Sequence, residues 1–182
     1  MIVRNLSGIY TGEGFKTKRG RNIEKGDDGL IKGPVDIRCQ GQQISEIGHN
    51  LVAETEEMII DGSDKIATAA FVDSHTHGLF SGNRSFEYFI RWAGRTYTEI
   101  ANEGGGIKTT FNDFMHASED ALISELSQKI LEMQAHGTCS VEIKSGYGKN
   151  SLQELRMLKI IKKVKELHLS LIHISEPTRQ LC

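Results

Sequence analysis

Phe71-Val72-Asp73-Ser74-His75-Thr76-His77-Gly78 closes a short apolar stretch that begins at Ile66. Ile66 to Val72 is mostly apolar or small and lacks proline, which predicts a buried strand. Side chains at i and i+2 of a strand lie on one side. His75 and His77 would therefore project together from the strand's C-terminal end, and imidazole is a common ligand for Zn and Fe. Two core histidines satisfied by backbone carbonyls would be the plainer reading. Asp73 beside the pair, as a group that could orient it, and Gly78 as a strand breaker favour a metal.

Working outward, Thr138 to Lys144 reads as a second strand. Cys139, Val141 and Ile143 would face one way, and Ser140, Glu142 and Lys144 the other. Two buried charges are costly unless paired, so Glu142 and Lys144 should meet each other or polar neighbours. Between the two strands, Ser118 is an N-cap candidate with Glu119 and Asp120 at the positive end of the helix dipole. Leu122, Leu126, Ile130 and Met133 recur at helical spacing, and Gly137 ends the run. After the second strand, Ser151 and Glu154 have capping-box spacing. Met157, Ile160, Ile161, Val164 and Leu167 then form an apolar stripe opposite Lys159, Lys162, Lys163 and Glu166. Strands alternating with helices indicate βαβ construction and a parallel sheet.

Residues 1 to about 65 differ in character. Met1-Ile2-Val3, Val35 to Cys39, Ile44 to Gly48 and Met58 to Gly62 are short apolar or alternating runs separated by turns, which predicts a small antiparallel β unit. The basic, glycine-rich stretch from Lys16 to Gly33 reads as a solvated loop.

The chain has 182 residues, 25% charged and 38% apolar, with a net charge of −2. That fits a globular protein able to bury a core and argues against disorder. The small net charge gives no reason to expect nucleic acid or a membrane surface as partner. No apolar run approaches the roughly 20 residues of a membrane span, and the N-terminus lacks a signal-peptide core. The three cysteines are far apart and odd in number, which suits a reducing, cytoplasmic setting rather than a disulfide framework. Cys139 has no base nearby in sequence and is a poor nucleophile candidate.

The His-x-His run after some 65 residues of short strands resembles the amidohydrolase superfamily. Within it, Gly82-Asn83-Arg84, Glu87 to Arg91, Gly94 to Ile100, Glu103 to Ile107, Val141 to Gly148 and Glu154 to Leu158 follow the spacing of the imidazolonepropionase family. The resemblance implies an α/β fold: a partial TIM-like (β/α)8 barrel (its first two strand-helix units) over residues 66–169, preceded by part of a small β-sandwich over residues 1–65. Such a barrel needs about 250 residues. The chain from Ile66 onward holds less than half that, so it reads as an N-terminal fragment, inactive by itself. Residues 170–182 depart from the family and look like a sequencing adapter translated in frame; His173 is given no function.

The activity implied is metal-dependent hydrolysis of the cyclic amide of 4-imidazolone-5-propanoate to N-formimidoyl-L-glutamate, in histidine degradation. One divalent ion, Zn or Fe, would be held by His75 and His77, and the family's further ligands and catalytic residues lie outside this sequence. By the same resemblance Arg84 and Tyr147 bind substrate. Arg84 lies in the loop after the first strand, where a guanidinium fork suits a carboxylate. Tyr147, between Gly146 and Gly148, could stack on and hydrogen-bond a flat heterocycle while the glycines let the backbone come close. Gly104-Gly105-Gly106 lacks a phosphate-loop pattern and reads as a tight connection. Ala69-Ala70 stands where the superfamily usually has Pro-Gly. The implied partners are a small-molecule substrate and, for the full-length enzyme, a second copy as a homodimer. Two alternatives stay open: another cyclic-amide amidohydrolase of dihydroorotase or hydantoinase type, and a non-catalytic scaffold of the same fold.

Overall fold

The computed structural model describes residues 1–12, 29–168 and 172–174. It divides into two compact units, Met1–Ala69 and Ala70–Cys182.

The first unit is a five-stranded sheet built around β1 (Ile2–Tyr10). β2 (Leu30–Gln40) pairs antiparallel with β1 and β3 (Gln43–Gly48) antiparallel with β2. β4 (Ile59–Asp61) and β5 (Ile66–Thr68) both run parallel to β1 along its other edge. The sheet is therefore mixed, not antiparallel, because the chain crosses from β3 to the far side of β1 before returning. Leu30 to Gly33, expected in a loop, belong to β2; residues 16–28 of that expected loop lie outside the described residues. Leu6, Ile9, Val35 and Ile37 form the core of the unit. Burial of a side chain of this size contributes about 1.5–3 kcal/mol. β1 slips register between Val3 and Leu6, and Asn5 there adopts φ 62°, a conformation Asn tolerates better than most residues. Its amide donates to the buried carboxylate of Asp36, which also accepts from the Leu51 amide, both at 2.8 Å. Arg38 pairs with Glu57 at 3.1 Å, and this hydrogen-bonded pairing holds the Glu57 carboxyl below its ordinary value.

β5 also revises the expected strand from Ile66 to Val72. Ile66–Thr68 is bound to β1, and a separate strand, β6 (Phe71–Thr76), starts the second unit. The two small residues Ala69 and Ala70 make the break. β6 pairs parallel with β7 (Thr138–Ile143), and β7 parallel with β8 (Ile172–Ile174). β8 is drawn from the segment that departs from the family, yet it takes the place of a third parallel strand.

Between β6 and β7 the chain forms α1 (Ser85–Trp92), α2 (Tyr97–Asn102), α3 (Ile107–His116) and α4 (Glu119–Ala135); α5 (Ser151–Leu167) joins β7 to β8. Ser118 caps α4 by accepting from the Ala121 amide, as its sequence suggests. Gly137, at φ 91°, ends that helix, and its carbonyl accepts from the Phe71 amide, which sets the start of β6 beside β7. The cap of α5 is Asn150, one residue before the expected Ser151. Glu154 accepts from the Gly148 amide at 2.6 Å instead of closing a capping box. Leu122, Leu126 and Ile130 of α4, Val141 and Ile143 of β7, and Met157, Ile160, Ile161 and Val164 of α5 pack into one core with Leu79 and Phe114. Leu167, in the last turn, stays exposed, and so does Cys139. The apolar start of β6 is not buried: Phe71 is 65% exposed. Among the described residues no helix is long and apolar enough to cross a membrane.

Candidate functional site at the ends of two parallel strands

β6 ends at Thr76, and its register is held past that point by two bonds. The Lys144 amide donates to the Thr76 carbonyl, and the Thr76 hydroxyl to the Glu142 carbonyl, both at 2.9 Å. With Thr76 tied to β7, His75 and His77 fall on the same side, as alternation requires. Their ring centroids are 5.2 Å apart at an interplanar angle of 75°. Asp73 does not reach either ring; its carboxylate accepts from the backbone amide of His75 at 3.3 Å and so shapes the strand end. Glu142 and Lys144 pair at 3.1 Å, as their burial requires.

Tyr147 stands edge-on to His77, with centroids 5.8 Å apart, and also touches Phe80 and Phe111. It thus both packs and reaches the histidine pair. The glycine before it serves that contact. A β-carbon on Gly146 would lie 2.9 Å from Cε1 and Nδ1 of His77, closer than real β-carbons come. What approaches the backbone at Gly146 is therefore the His77 ring.

Buried polar atoms without a hydrogen-bond partner are uncommon and call for an explanation. Two such atoms sit on this motif pair, Nδ1 of His77 and Oγ of Ser145. Neutral imidazoles suit a divalent ion of Zn or Fe type, so the donors fit a metal. They fit as part of a ligand set only. Among the described residues no three His, Cys, Asp or Glu side chains come together, whereas a catalytic zinc takes about three protein ligands.

Arg84 precedes α1, where the Asn83 side chain accepts from the Ser85 amide. The guanidinium donates to Glu87 at 2.9 Å and, more loosely, to the Thr110 hydroxyl at 3.5 Å. The bond to Glu87 raises the pKa of the Arg84 guanidinium, and Tyr97 and Tyr147 add smaller effects in the same direction. Glu87 was not singled out by sequence reading. The available signal was a lone carboxylate among aromatics, three residues after an arginine and thus on the same helical face. Gly104-Gly105-Gly106 is a tight connection, with Gly104 and Gly106 at φ 92° and 71°.

Lys129 is the other residue sequence reading missed. From α4 it donates to the carbonyls of Phe80 (2.9 Å) and Gly78 (3.4 Å) and lies over the Phe80 ring. Burial lowers the pKa of its amine. It fixes the loop directly after His77.

No protein-family model matches the chain. It is 35% identical over 167 residues to the imidazolonepropionase of Caldanaerobacter subterraneus, covering 92% of this chain and 40% of that protein. A probable imidazolonepropionase of Mus musculus is 40% identical over 155 residues, covering 84% and 34%. The chain thus spans about two fifths or less of the curated relatives it matches. Among solved structures, a triazine hydrolase from Arthrobacter aurescens has a TM-score of 0.56 at 15% identity, over 100% of this chain and 36% of that one. A mutant atrazine chlorohydrolase from the same species, complexed with zinc and atraton, has a TM-score of 0.52 at 16% identity, over 96% and 35%. At such identities the likeness is one of fold: a mixed α/β chain with the architecture of these hydrolases. In sequence the chain is similar to imidazolonepropionases over most of its length, as its motifs implied.

Proposed function

We propose that this chain is the N-terminal part of an imidazolonepropionase, and that the complete enzyme opens the cyclic amide of 4-imidazolone-5-propanoate to N-formimidoyl-L-glutamate. The observation that carries this reading is the placement of His75 and His77 together at the end of β6, parallel to β7, with Tyr147 against His77 just after β7. In parallel α/β folds the loops at the C-terminal ends of strands hold the active site. β6 and β7 would be the first two strands of a (β/α)8 barrel, and the first unit part of a β-sandwich.

His75 and His77 would hold one divalent ion, with at least one further ligand from outside the described residues. Zinc in the solved neighbour makes it the first ion to test, with iron the alternative. When bound, such an ion lowers the pKa of water toward neutrality and polarises a carbonyl oxygen. The chain's own residues bind and orient. Arg84 would take the propanoate tail of the substrate, and the Tyr147 phenol would lie against the imidazolone ring beside His77. Phe80 and Phe111, packed on Tyr147, give that side of the site an apolar wall.

The test is the double substitution His75→Ala, His77→Ala in the full-length enzyme. It should remove both bound metal and turnover of imidazolone propanoate while leaving the fold intact by circular dichroism. Full turnover with stoichiometric metal in the double variant would overturn the assignment.

A further inference from the structure

We infer that Glu87 is a positioning residue that locks the Arg84 guanidinium and the glycine loop 104–106 in place to receive a carboxylate; this rests on the reading of Arg84 as the group that binds the substrate's propanoate. α1 presents an unusual distribution. Its aromatic residues Phe86, Tyr88, Phe89 and Trp92 are each more than half exposed, while its one buried residue is a carboxylate, Glu87, at 5% exposure. A buried carboxylate is costly unless its oxygens are satisfied. Here both are used: Oε2 accepts from Nη2 of Arg84 at 2.9 Å, and Oε1 from the Gly106 amide at 2.7 Å. The glycines make the second contact feasible. A β-carbon on Gly105 would lie 2.6 Å from Cγ2 of Ile100 and 3.2 Å from Oε1 of Glu87, so a larger residue would push the loop off the carboxylate. Glu87 therefore joins the start of α1, where Arg84 sits, to the start of α3.

An arginine side chain is long and loses considerable rotamer freedom when it binds. One held beforehand pays less of that cost on meeting its ligand. Glu87 and Thr110 occupy donors on the two terminal nitrogens of Arg84, while Nε is enclosed and has no partner among the described residues. The guanidinium is thus fixed in orientation with two of its five N–H donors engaged, and its charge is largely offset by Glu87. Such a group discriminates by geometry, for a carboxylate arriving at one place.

The test uses the full-length enzyme with imidazolone propanoate and with an analogue lacking its carboxylate. Glu87→Ala should raise KM for the propanoate substrate by about tenfold to a hundredfold, the value of one hydrogen bond to a charged group. It should change kcat little and leave kcat/KM for the analogue unchanged. Glu87→Gln, which keeps the shape and still accepts from Gly106, should restore part of the loss and serves if the Ala variant folds poorly. In an Arg84→Ala background, Glu87→Gln should have no further effect on KM. Equal losses on both substrates, or additive losses in the double variant, would overturn the inference and make Glu87 a merely structural residue. If the unaltered enzyme fails to turn over imidazolone propanoate at all, the proposed function itself fails and the inference falls with it, a result distinct from an active enzyme indifferent to Glu87.

Discussion

Gly146→Ala should weaken metal binding and turnover by moving one ring. The added β-carbon would sit 2.9 Å from both Nδ1 and Cε1 of His77, where ordinary contact begins at 3.4 Å. To restore that spacing the imidazole must recede by about 0.5 Å, and it cannot do so freely because Tyr147 stands against it. Misplacing a reacting group by ~1 Å can cost about a hundredfold in rate. Half that displacement should cost on the order of tenfold in kcat/KM on imidazolone propanoate, with metal affinity falling in step. Overpacking of this kind also costs about 1–3 kcal/mol of stability. The assay is steady-state kinetics on the full-length enzyme, metal content by mass spectrometry after dialysis, and thermal unfolding. Gly148→Ala is the matched comparison. Its β-carbon would meet the backbone nitrogen of Glu154 at 2.4 Å, in the first turn of α5. It should lower stability yet leave metal affinity alone. Unchanged metal content, kcat/KM and unfolding in Gly146→Ala would refute the reasoning that Gly146 exists to admit the His77 ring.

Two predictions concern the second unit. Leu126→Ala, at a side chain 1% exposed in the core between α4, α5 and β7, should cost about 2–5 kcal/mol in urea unfolding; a loss below about 0.5 kcal/mol would mean that the core is not packed there. Acid should destabilise the same unit. Hydrogen bonding from Arg84, then from the Gly106 amide, holds the Glu87 carboxyl below its ordinary value, and Lys163 does the same for Glu119. Depressed carboxylates contribute stability that is fully present above the unfolded value, near 4.3, and is lost as pH falls through the folded value. Urea midpoints should therefore hold steady from pH 7 to about 5 and fall below about 4.5, with a shallower fall in Glu87→Gln; a flat profile to pH 3 would contradict it.

The parts of the fold that could be read from sequence are those set by near neighbours. Ser118 before Glu119, the Leu122–Leu126–Ile130 spacing and Gly137 each encode a local geometry, and each appears where it was expected. So does the alternation of Val141 and Ile143 against Glu142 and Lys144. The three helices between Gly82 and Ala117 had no counterpart in the sequence reading because they are short and their apolar residues follow no buried stripe. The signal at α2 was present all the same: Thr96 and Glu99 form a capping box in which each side chain accepts from the other's amide. The strand from Ile66 to Val72 was misread because seven small or apolar residues do not say which of two sheets they join. β1 claims the first three, and β7 claims those from Phe71 onward.

The same division runs through the site. His75 and His77 are two residues apart, so their common direction follows from strand geometry alone, and sequence supplied it. What holds the surrounding segments in place comes from further away. Glu87 meets Gly106 across 19 positions, Lys129 meets Phe80 across 49, and Thr76 meets Glu142 across 66. A glutamate, a lysine and a threonine carry no mark of the carbonyl or amide they will find, since each of those backbone groups is identical along the chain. The type of a functional residue can thus be read where chemistry demands it, as with two imidazoles. The residues that fix its position are known only once the chain has brought them together.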